Sequence, residues 1–514
     1  MTEYELKMTG ARPAGYEALI ARYELLVIPN WHRSFVAING PGRINAISDI
    51  VEEVYPSKYW PGDSLGGHLE FALKYDGTNL AILAGLFEVV SKKEFIDYIK
   101  SKPTGKYARR LWFLYEFLTG SLLQLEDLKQ GNYVDLLDPT QYFTVSPARK
   151  IQRQRINDNL LGDNRFCPTI RRTDTLRVFQ EADLTSQCKQ VVLRYSSGLL
   201  KRALSYLYTK ETKSSFEIEH ITPNSSRTER FVALLQLAEN EDFCEKKHLI
   251  DLQNRIVDPR FRDTDYRRTQ NYVGESVAWQ REKVHFACPK PEDLDSLTGG
   301  LIAAHLRMNE GGVHPVVHAA AVAYGFVFLH PFEDGNGRIH RFLIHNILAY
   351  QGFTPKEIMF PVSASMLKNS TEYDASLESF SKHLMALVEY SLDEEGRMTV
   401  HNDTARWYAY IDMTAQAEAL FRFIEHTIDT ELVEELSFLA RYDETKKAIQ
   451  EIVDMPDRQI DLFIRFCIQN NGRLSVRKRH SHFEFLSDQE VTQLEHSVLS
   501  AYGPDNRETP ASRA

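Results

Sequence analysis

The sequence has few cysteines, and none of them forms a recognisable pair. Five cysteines are scattered along 514 residues, and no two of them have Cys-x-x-Cys spacing. The absence of such pairs argues against both a disulfide framework and a zinc site. We therefore expect reduced thiols, which are typical of cytoplasmic proteins.

Long apolar runs are also missing. No stretch approaches the roughly 18 uninterrupted apolar residues of a membrane-spanning helix. The richest stretch, "TNLAILAGLFEVV" at residues 78–90, is too short. The N-terminus lacks the basic start and apolar core of a secretory signal. We therefore expect no membrane association and a cytoplasmic location.

A positive charge excess is absent as well. The formal net charge is −10, which excludes a surface built as a whole for nucleic acid but leaves a local basic patch open. The length suggests about three domains as a starting estimate.

Apolar spacing and turn residues predict a mainly α-helical chain. The N-terminal part, including "SDIVEEVYPSKYW", is predicted as helices broken by Pro and Gly turns. The segment "HPVVHAAAVAYGFVFLH" is apolar nearly all round, so it is predicted to be a buried helix. Near the C-terminus, a helix, an Asn-Asn-Gly turn, two short alternating segments and a last helix outline a winged helix-turn-helix. The predicted domains are a helical accessory domain (1–195), a central helical domain (196–400), a helical linker (401–440), a winged helix-like domain (441–503) and a disordered tail (504–514).

The stretch "HPFEDGNGRIHR", residues 330–341, carries the strongest chemical signal. Gly335 and Gly337 permit positive φ and close approach of a ligand to the backbone. A helix is predicted to start here, and its first N–H groups lack intrahelical partners. Such a helix end favours an anion such as phosphate.

The side chains of the same stretch add to this chemistry. Arg338 and Arg341 are three residues apart on the new helix, and arginine suits phosphate oxygens. Asp334 can hold Mg²⁺ that bridges phosphates, and His330 can take a proton near neutral pH. Phe332 is predicted to pack inward and pin the loop. Together these groups favour phosphoryl or nucleotidyl transfer.

The stretch resembles the Fic family signature His-Pro-Phe-x-(Asp/Glu)-Gly-Asn-Gly-Arg-x-x-Arg, with every fixed position matched. "YRRTQNYVG" and "HFACPKPEDLDSL" resemble the segment that carries the family's flap hairpin. The resemblance covers residues 195–390 and implies a Fic-type helical core with a small β-hairpin flap. It also implies protein adenylylation, in which AMP moves from ATP to a Ser, Thr or Tyr hydroxyl of a target protein or of the enzyme itself.

The resemblance implies a role for each motif residue. His330 would be the base, and Asp334 would bind Mg²⁺. Gly335, Asn336 and Gly337 would form the anion hole, Arg338 would support the site, and Arg341 would hold the γ-phosphate. Tyr373 would lie near the adenine. Glycine at position 337, where kinase-like relatives have lysine, favours AMP transfer.

A second resemblance concerns an N-terminal inhibitory helix with the pattern (Ser/Thr)-x-x-x-Glu-(Gly/Asn). The segment "SSFEIEH", in a helix predicted near 205–220, contains Ser215 and Glu219 at i, i+4 spacing, which would place them on one helix face. His220 stands where the family has Gly or Asn. Glu219 paired with Arg341 would occupy the arginine that the γ-phosphate needs. The plain alternative is a capped, solvated helix.

Other readings stay open. The same site would also serve removal of AMP or transfer of another nucleotide, and relatives often self-associate, so a homodimer is one expectation. A basic segment in the tail would suit DNA phosphates, with a solvated charged hairpin as the alternative. His314 and His318 have a metal-binding spacing, but no HExxH glutamate accompanies them, so they are predicted to be core histidines.

Overall fold

The computed structural model describes residues 10–39, 41–47, 50–278, 281–356 and 358–502. The predicted disordered tail lies outside them. The helices are α1 (Gly15–Tyr23), α2 (Leu65–Phe71), α3 (Leu80–Val89), α4 (Lys92–Ser101), α5 (Lys106–Thr119), α6 (Asp174–Glu181), α7 (Leu184–Val192), α8 (Ser197–Glu217), α9 (Ser225–Leu237), α10 (Lys246–Ile256), α11 (Leu294–Glu310), α12 (Pro315–Leu329), α13 (Asn336–Tyr350), α14 (Val362–Lys368), α15 (Ser370–Met385), α16 (Ala405–Ala409), α17 (Thr414–His426), α18 (Val433–Ile452), α19 (Asp457–Gln469), α20 (Val476–His482) and α21 (Asp488–Tyr502). The strands are β1 (Ala11–Pro13), β2 (His32–Ala37), β3 (Arg43–Ile47), β4 (Ile50–Tyr55), β5 (Val134–Asp135), β6 (Arg149–Ile151), β7 (Ile156–Asp158), β8 (Tyr272–Ala278), β9 (Arg281–Ala287), β10 (Tyr390–Leu392) and β11 (Met398–Val400).

The mainly helical fold with a small flap hairpin is confirmed. The chain divides into two compact units, and each is described by itself. The first unit comprises Met1–Ala182, Ser225–Gln351 and Asn369–Phe421, and the second comprises Asp183–Asn224, Gly352–Lys368 and Arg422–Ala514. No helix among the described residues is long and apolar enough to cross a membrane.

The N-terminal part of the first unit is less helical than predicted. Helices α1 to α5 are accompanied by a four-stranded sheet in the order β1-β2-β4-β3, in which β2 and β4 run parallel. The prediction of a helix for "SDIVEEVYPSKYW" is wrong, because residues 50–55 form strand β4. Three of those six residues, Ile50, Val51 and Val54, are β-branched and so fit a pleated, half-buried surface.

A buried ionic cluster ties this sheet to the helices. His32 lies on β2 and is 5% exposed. Its Nδ1 is 3.2 Å from Asp76 Oδ1, and its Nε2 is 3.2 Å from Glu53 Oε2. Burial alone would lower the pKa of His32, but hydrogen bonds to both carboxylates outweigh it and raise the pKa. A protonated ring can donate to both carboxylates at once, which is the state that the raised pKa favours.

The core of the first unit around the motif consists of α11, α12 and α13. Helix α12 is buried along nearly its whole length, as predicted. It begins with Pro315 at its first turn, and the His314 side chain accepts a hydrogen bond from Val316 N at 3.3 Å. Gly325 has no Cβ, and one added there would lie 2.8 Å from Leu301 Cδ1. Glycine therefore lets α12 approach α11 closely.

In the second unit, helix α8 is held by buried polar contacts. Glu211 is fully buried and accepts from Ser363 N at 2.9 Å and from the Ser363 hydroxyl at the start of α14. One turn of π-helix before α18 contributes Glu431, which is also fully buried. Its carboxylate contacts Lys210 Nζ at 2.5 Å and Lys368 Nζ at 2.6 Å. Buried charges of this kind are stable only when they are paired.

The tail forms a small helical core, but the predicted wing is wrong. Among the described residues from 453 to 502 there are helices and no strand, and "RLSVRKRHSHF" contains α20. Ser475 caps α20 by accepting from Lys478 N at 3.4 Å. Leu474 and Phe483 bury their side chains at its two ends, whereas Val476 is 73% exposed. The alternation of Leu474 and Val476 therefore reflects a capped helix and not a half-buried strand.

Candidate functional site

The motif begins where α12 ends. His330 is the C-cap of α12 and has φ 49°, the left-handed region, and its N–H donates to Phe326 O at 2.9 Å. Left-handed residues commonly end helices, and the following Pro331 cannot continue one. The histidine is half-buried and stands at the start of the loop that leads to α13.

The imidazole of His330 has a defined tautomer. Nδ1 is 3.2 Å from the carbonyl oxygen of Val327. A carbonyl only accepts, so Nδ1 carries the proton and Nε2 is left with a lone pair. Burial and the nearby Arg267 guanidinium lower the pKa of His330 to about 4. The ring is therefore neutral at neutral pH and can accept a proton at Nε2.

The glycine loop leads directly into the N-terminus of α13. Gly335 is the N-cap residue of α13, with φ 92°, and a Cβ there would lie 2.9 Å from Val257 Cγ1. Both facts require glycine at this position. The first N–H groups of α13, including those of Asn336 and Gly337, have no partner within the helix. Free N–H groups at a helix N-terminus, together with the helix dipole, favour an anion.

The Asn336 side chain closes the loop on itself. Its Oδ1 accepts from Phe332 N at 3.1 Å, and its Nδ2 donates to Phe332 O at 2.7 Å. Asn336 is 2% exposed, and Phe332 is fully buried against the rings of Tyr266 and Phe326. The prediction that Phe332 packs inward is confirmed. Asn336 therefore shapes the loop through its side chain and can contribute to an anion site only through its backbone.

The two arginines of the motif are buried. Arg338 is fully buried and Arg341 is 2% exposed. Arg338 Nη2 donates to Asp334 Oδ1 at 2.7 Å, and the Asp334 side chain is 43% exposed. This pair fixes the carboxylate beside the helix end while leaving it open to solvent.

Asp334 is the residue that fits a magnesium ion. Among the described residues no group of three His, Cys, Asp or Glu side chains is arranged to hold a metal. Mg²⁺, however, is usually held by one or two carboxylates together with substrate phosphates. One accessible carboxylate next to an anion site fits that arrangement.

Tyr373 and the core histidines lie in the interior. Tyr373, on α15, is 6% exposed, and its ring stacks on His340 of α13 with the centroids 6.2 Å apart. Burial lowers the pKa of His340 to about 3. His318 is fully buried and burial lowers its pKa to about 3, while His314 is a helix cap. His318 is therefore a core histidine, as predicted, whereas His314 is half-buried at the start of α12.

His318 belongs to a chain of hydrogen bonds in which each side chain donates to the next. Gln351 Nε2 is 2.6 Å from His318 Nδ1, and His318 Nε2 is 3.0 Å from His305 Nδ1. His305 Nε2 is 2.9 Å from Asp242 Oδ2. Donors and acceptors match along this chain when both rings are neutral.

Two residues that sequence reasoning missed support the loop from outside the motif. Gln253 is fully buried, and its Nε2 lies 3.1 Å from Asp263 Oδ2 and 3.4 Å from Asp334 O. Arg267 is 4% exposed, and its Nε donates to His330 O at 2.8 Å. Both partners in the motif are backbone carbonyl groups, so no side-chain pattern in the sequence signals these contacts.

The flap predicted from "YRRTQNYVG" is confirmed as the antiparallel hairpin of β8 and β9. Its base is fixed inside the first unit. Cys288 N donates to Asn271 O at 3.1 Å, and the Tyr408 hydroxyl donates to Ala287 O. The Thr269 hydroxyl donates to the side chain of Glu333 in the motif.

The candidate inhibitory residues lie in the second unit. Ser215 is fully buried in the last turn of α8, which ends at Glu217. Glu219 lies two residues beyond the end of α8, in the following turn, where its N–H donates to Phe216 O at 3.1 Å. His220 has φ 56°. Gly and Asn, the residues of the inhibitory pattern, enter this left-handed region readily, and His does so more often than most residues. His220 therefore has the backbone conformation that Gly or Asn would readily adopt at this position.

The part of the chain that contains the motif is similar to known proteins. Residues 243–348 match the model of the Fic/DOC family. A protein from Culex quinquefasciatus named Protein adenylyltransferase Fic is 34% identical over 122 residues, which cover 23% of this chain and 22% of that protein. A protein of the same name from Drosophila grimshawi is 35% identical over 259 residues, which cover 46% of this chain and 51% of that one.

A solved structure of a Fic family protein from Desulfovibrio desulfuricans G20 is 17% identical, with a TM-score of 0.33, and the match covers 64% of this chain and 93% of that one. The match to the two curated relatives spans 22% and 51% of their lengths.

Proposed function

Given that the chain carries a Fic/DOC family domain at residues 243–348, we propose that it is a protein adenylyltransferase. It transfers AMP from ATP to a Ser, Thr or Tyr hydroxyl of a target protein or of itself. The relatives named adenylyltransferase support this activity over the matched part of the chain.

The observation that carries the proposal is the tautomer of His330. Its Nε2 keeps a lone pair, and His330 lies five residues before Gly335, the N-cap of α13. In the proposed step, the target O–H bond breaks and its proton passes to Nε2. The oxygen then bonds to the α-phosphorus of ATP, and the bond to the bridging oxygen breaks, so pyrophosphate leaves.

The nucleotide would be held by residues of the motif and of α15. The Gly335–Gly337 loop would bind phosphate oxygens through backbone N–H groups. Arg338 would orient Asp334, Arg341 would hold the γ-phosphate, and Tyr373 would lie on the adenine side. Mg²⁺ held by Asp334 would neutralise phosphate charge when bound with ATP.

The direct test is transfer of label from α-labelled ATP in the presence of Mg²⁺. His330→Asn is the sharpest variant, because asparagine tolerates the left-handed backbone and its amide can donate to Val327 O, yet it has no basic nitrogen. We expect no transfer by His330→Asn and normal ATP binding. Wild-type rates in His330→Asn would refute the role of the base.

The chemistry of the modification decides between related reactions at this site. Intact mass measured after incubation with ATP, GTP, CTP and UTP in turn identifies the group that is added. We expect the mass of AMP with ATP alone. Loss of label from a pre-modified protein, without free ATP, would instead support removal of AMP.

We also propose that Glu219 inhibits this activity by pairing with Arg341. The support is the match of Ser215 and Glu219 to the inhibitory pattern, together with the left-handed His220 that ends the turn. A carboxylate bound to Arg341 would compete with the γ-phosphate for the same guanidinium.

The test of inhibition compares two neighbouring glutamates. Glu219→Gln removes the charge and keeps the shape, and Glu219→Gly removes the side chain. Glu217→Gln is the matched control, since Glu217 is exposed in the last turn of α8. We expect faster label transfer in both Glu219 variants only. Equal rates in all four proteins would contradict inhibition by Glu219.

A second candidate function, nucleic-acid binding, is favoured by the basic residues around α20. Arg479 pairs with Asp488, and Lys478 Nζ lies 4.2 Å from the Phe466 ring centroid. The other basic side chains, all exposed, are Arg473, Arg477, His480 and His482. A gel shift of the full chain with mixed DNA at low and high salt tests this function. We expect binding that Arg473→Ala with Arg477→Ala weakens, and no shift at low salt would exclude it.

A further inference from the structure

We propose that Arg267 is a positioning residue that holds both ends of the β8–β9 flap against the main chain of His330. It thereby fixes the position of the flap ends relative to the imidazole that is proposed to receive the target's proton. This inference rests on the proposed function, because it assigns a role within the same reaction.

Four hydrogen bonds carry the inference. Arg267 Nε donates to His330 O at 2.8 Å, Nη1 to Thr269 O at 2.7 Å and Nη2 to Pro289 O at 2.7 Å. Its backbone N–H donates to Pro331 O at 2.8 Å. Thr269 lies three residues before β8, and Pro289 lies two residues after β9. One side chain therefore joins the entry and exit of the flap to the start of the catalytic loop.

Only a guanidinium can make this arrangement. Its donors point in fixed, coplanar directions, so it can serve three carbonyl groups from three segments at once, whereas lysine presents a single flexible charge. Arg267 is 4% exposed. Burying a cation on neutral carbonyl groups is costly unless they satisfy it well, and this cost indicates a specific role for the residue.

The same cation acts on the reactive ring. The charged groups that affect the His330 imidazole are Arg267, which disfavours protonation, and Asp334, which favours it. Arg267 therefore has an electrostatic effect as well as a geometric one, and the two effects can be separated by substitution.

Two variants and one control test the inference. Arg267→Lys keeps the charge but loses the fork, and Arg267→Gln loses both. Arg268→Gln is the matched control, because Arg268 is the next residue and is exposed. We expect the rate constant of self-modification with saturating α-labelled ATP to fall about 10- to 100-fold in both Arg267 variants, as misplaced reacting groups do. The control should keep the wild-type rate.

The pH dependence distinguishes this role from a merely structural one. The ring titration of His330, followed by NMR without nucleotide, should move upward by about one pH unit in Arg267→Gln and stay unchanged in Arg267→Lys. A rate within about twofold of wild type in Arg267→Lys, or an unmoved His330 titration in a folded Arg267→Gln, would overturn the inference.

The outcomes for the two proposals are separable. If His330→Asn still transfers AMP, the proposed function fails whatever the Arg267 variants do. If His330→Asn is inactive and the Arg267 variants behave like Arg268→Gln, only the inference about Arg267 fails. The NMR titration does not depend on activity, so it remains decisive even for a slow enzyme.

Discussion

Replacement of Asn336 by alanine tests whether this motif residue shapes the loop or grips the ligand. The change removes both hydrogen bonds to Phe332 and leaves a buried N–H and C=O without that partner. Each buried group left unsatisfied costs about 1–3 kcal/mol. Alanine recovers under about 1 kcal/mol through its helix propensity. We therefore expect the free energy of unfolding to fall by about 1–6 kcal/mol.

The measurements are urea unfolding followed by tryptophan fluorescence, and ATP binding by calorimetry. Asn346→Ala is the matched control, because Asn346 lies on the same helix and its side chain bonds to Phe243 N and to Ala238 O and Glu241 O. We expect a similar loss of stability in both variants. Only Asn336→Ala should weaken ATP binding, by at least about tenfold, because its loop is no longer preorganised.

Two results would refute this reasoning. A stability loss below about 0.5 kcal/mol for Asn336→Ala would mean that its hydrogen bonds do not hold the loop. Equal weakening of ATP binding by Asn346→Ala would mean that affinity follows overall stability and not the shape of the loop.

Three further predictions follow from buried ionisable groups. Because the pKa of His330 is lowered to about 4, the acid limb of the transfer rate should lie near pH 4, and a limb at the ordinary value of about 6.5 would contradict the burial argument. Glu211→Ala should lower the free energy of unfolding by about 1–3 kcal/mol and Glu211→Gln by less, since the amide keeps an acceptor; equal losses in urea unfolding would disagree. The pKa of His32 is raised in the folded state, so its protonation stabilises the fold fully below about pH 6.5, and this stabilisation is lost as the pH rises through the folded pKa. The urea midpoint of the wild type should therefore fall over that pH range, and His32→Gln should flatten the fall. An unchanged slope in His32→Gln would rule out this contribution.

The helices around the motif could be predicted from the sequence because their signals are local, whereas the flap is predicted only through the family resemblance. The apolar residues of α12, the glycines of the loop and the phosphate-binding residue types all lie within residues 315–341. The family signature strengthens this local signal, because all its fixed positions lie in one continuous stretch of the sequence.

The supports of the site could not be predicted, because they depend on long-range contacts with backbone atoms. Arg267 reaches His330 O, and Gln253 reaches Asp334 O, and a carbonyl group leaves no trace in a side-chain pattern. The wrong predictions for strand β4 and helix α20 have a different cause, which is that their local sequence patterns are ambiguous. Residues 50–55 and 474–476 carry short apolar patterns that fit a helix or a strand, and tertiary packing decides between them.

Helix α13 is tied at both ends, and this limits how the first unit can respond to a ligand. At its front the Asn336 side chain is bonded to Phe332, and at its back Gln351 is bonded to His318. A helix held in this way cannot slide along its axis or turn about it without breaking these side-chain hydrogen bonds. If the proposed site binds nucleotide phosphates at this helix end, the helix would be a rigid support for them, and any adjustment would fall to side chains around it.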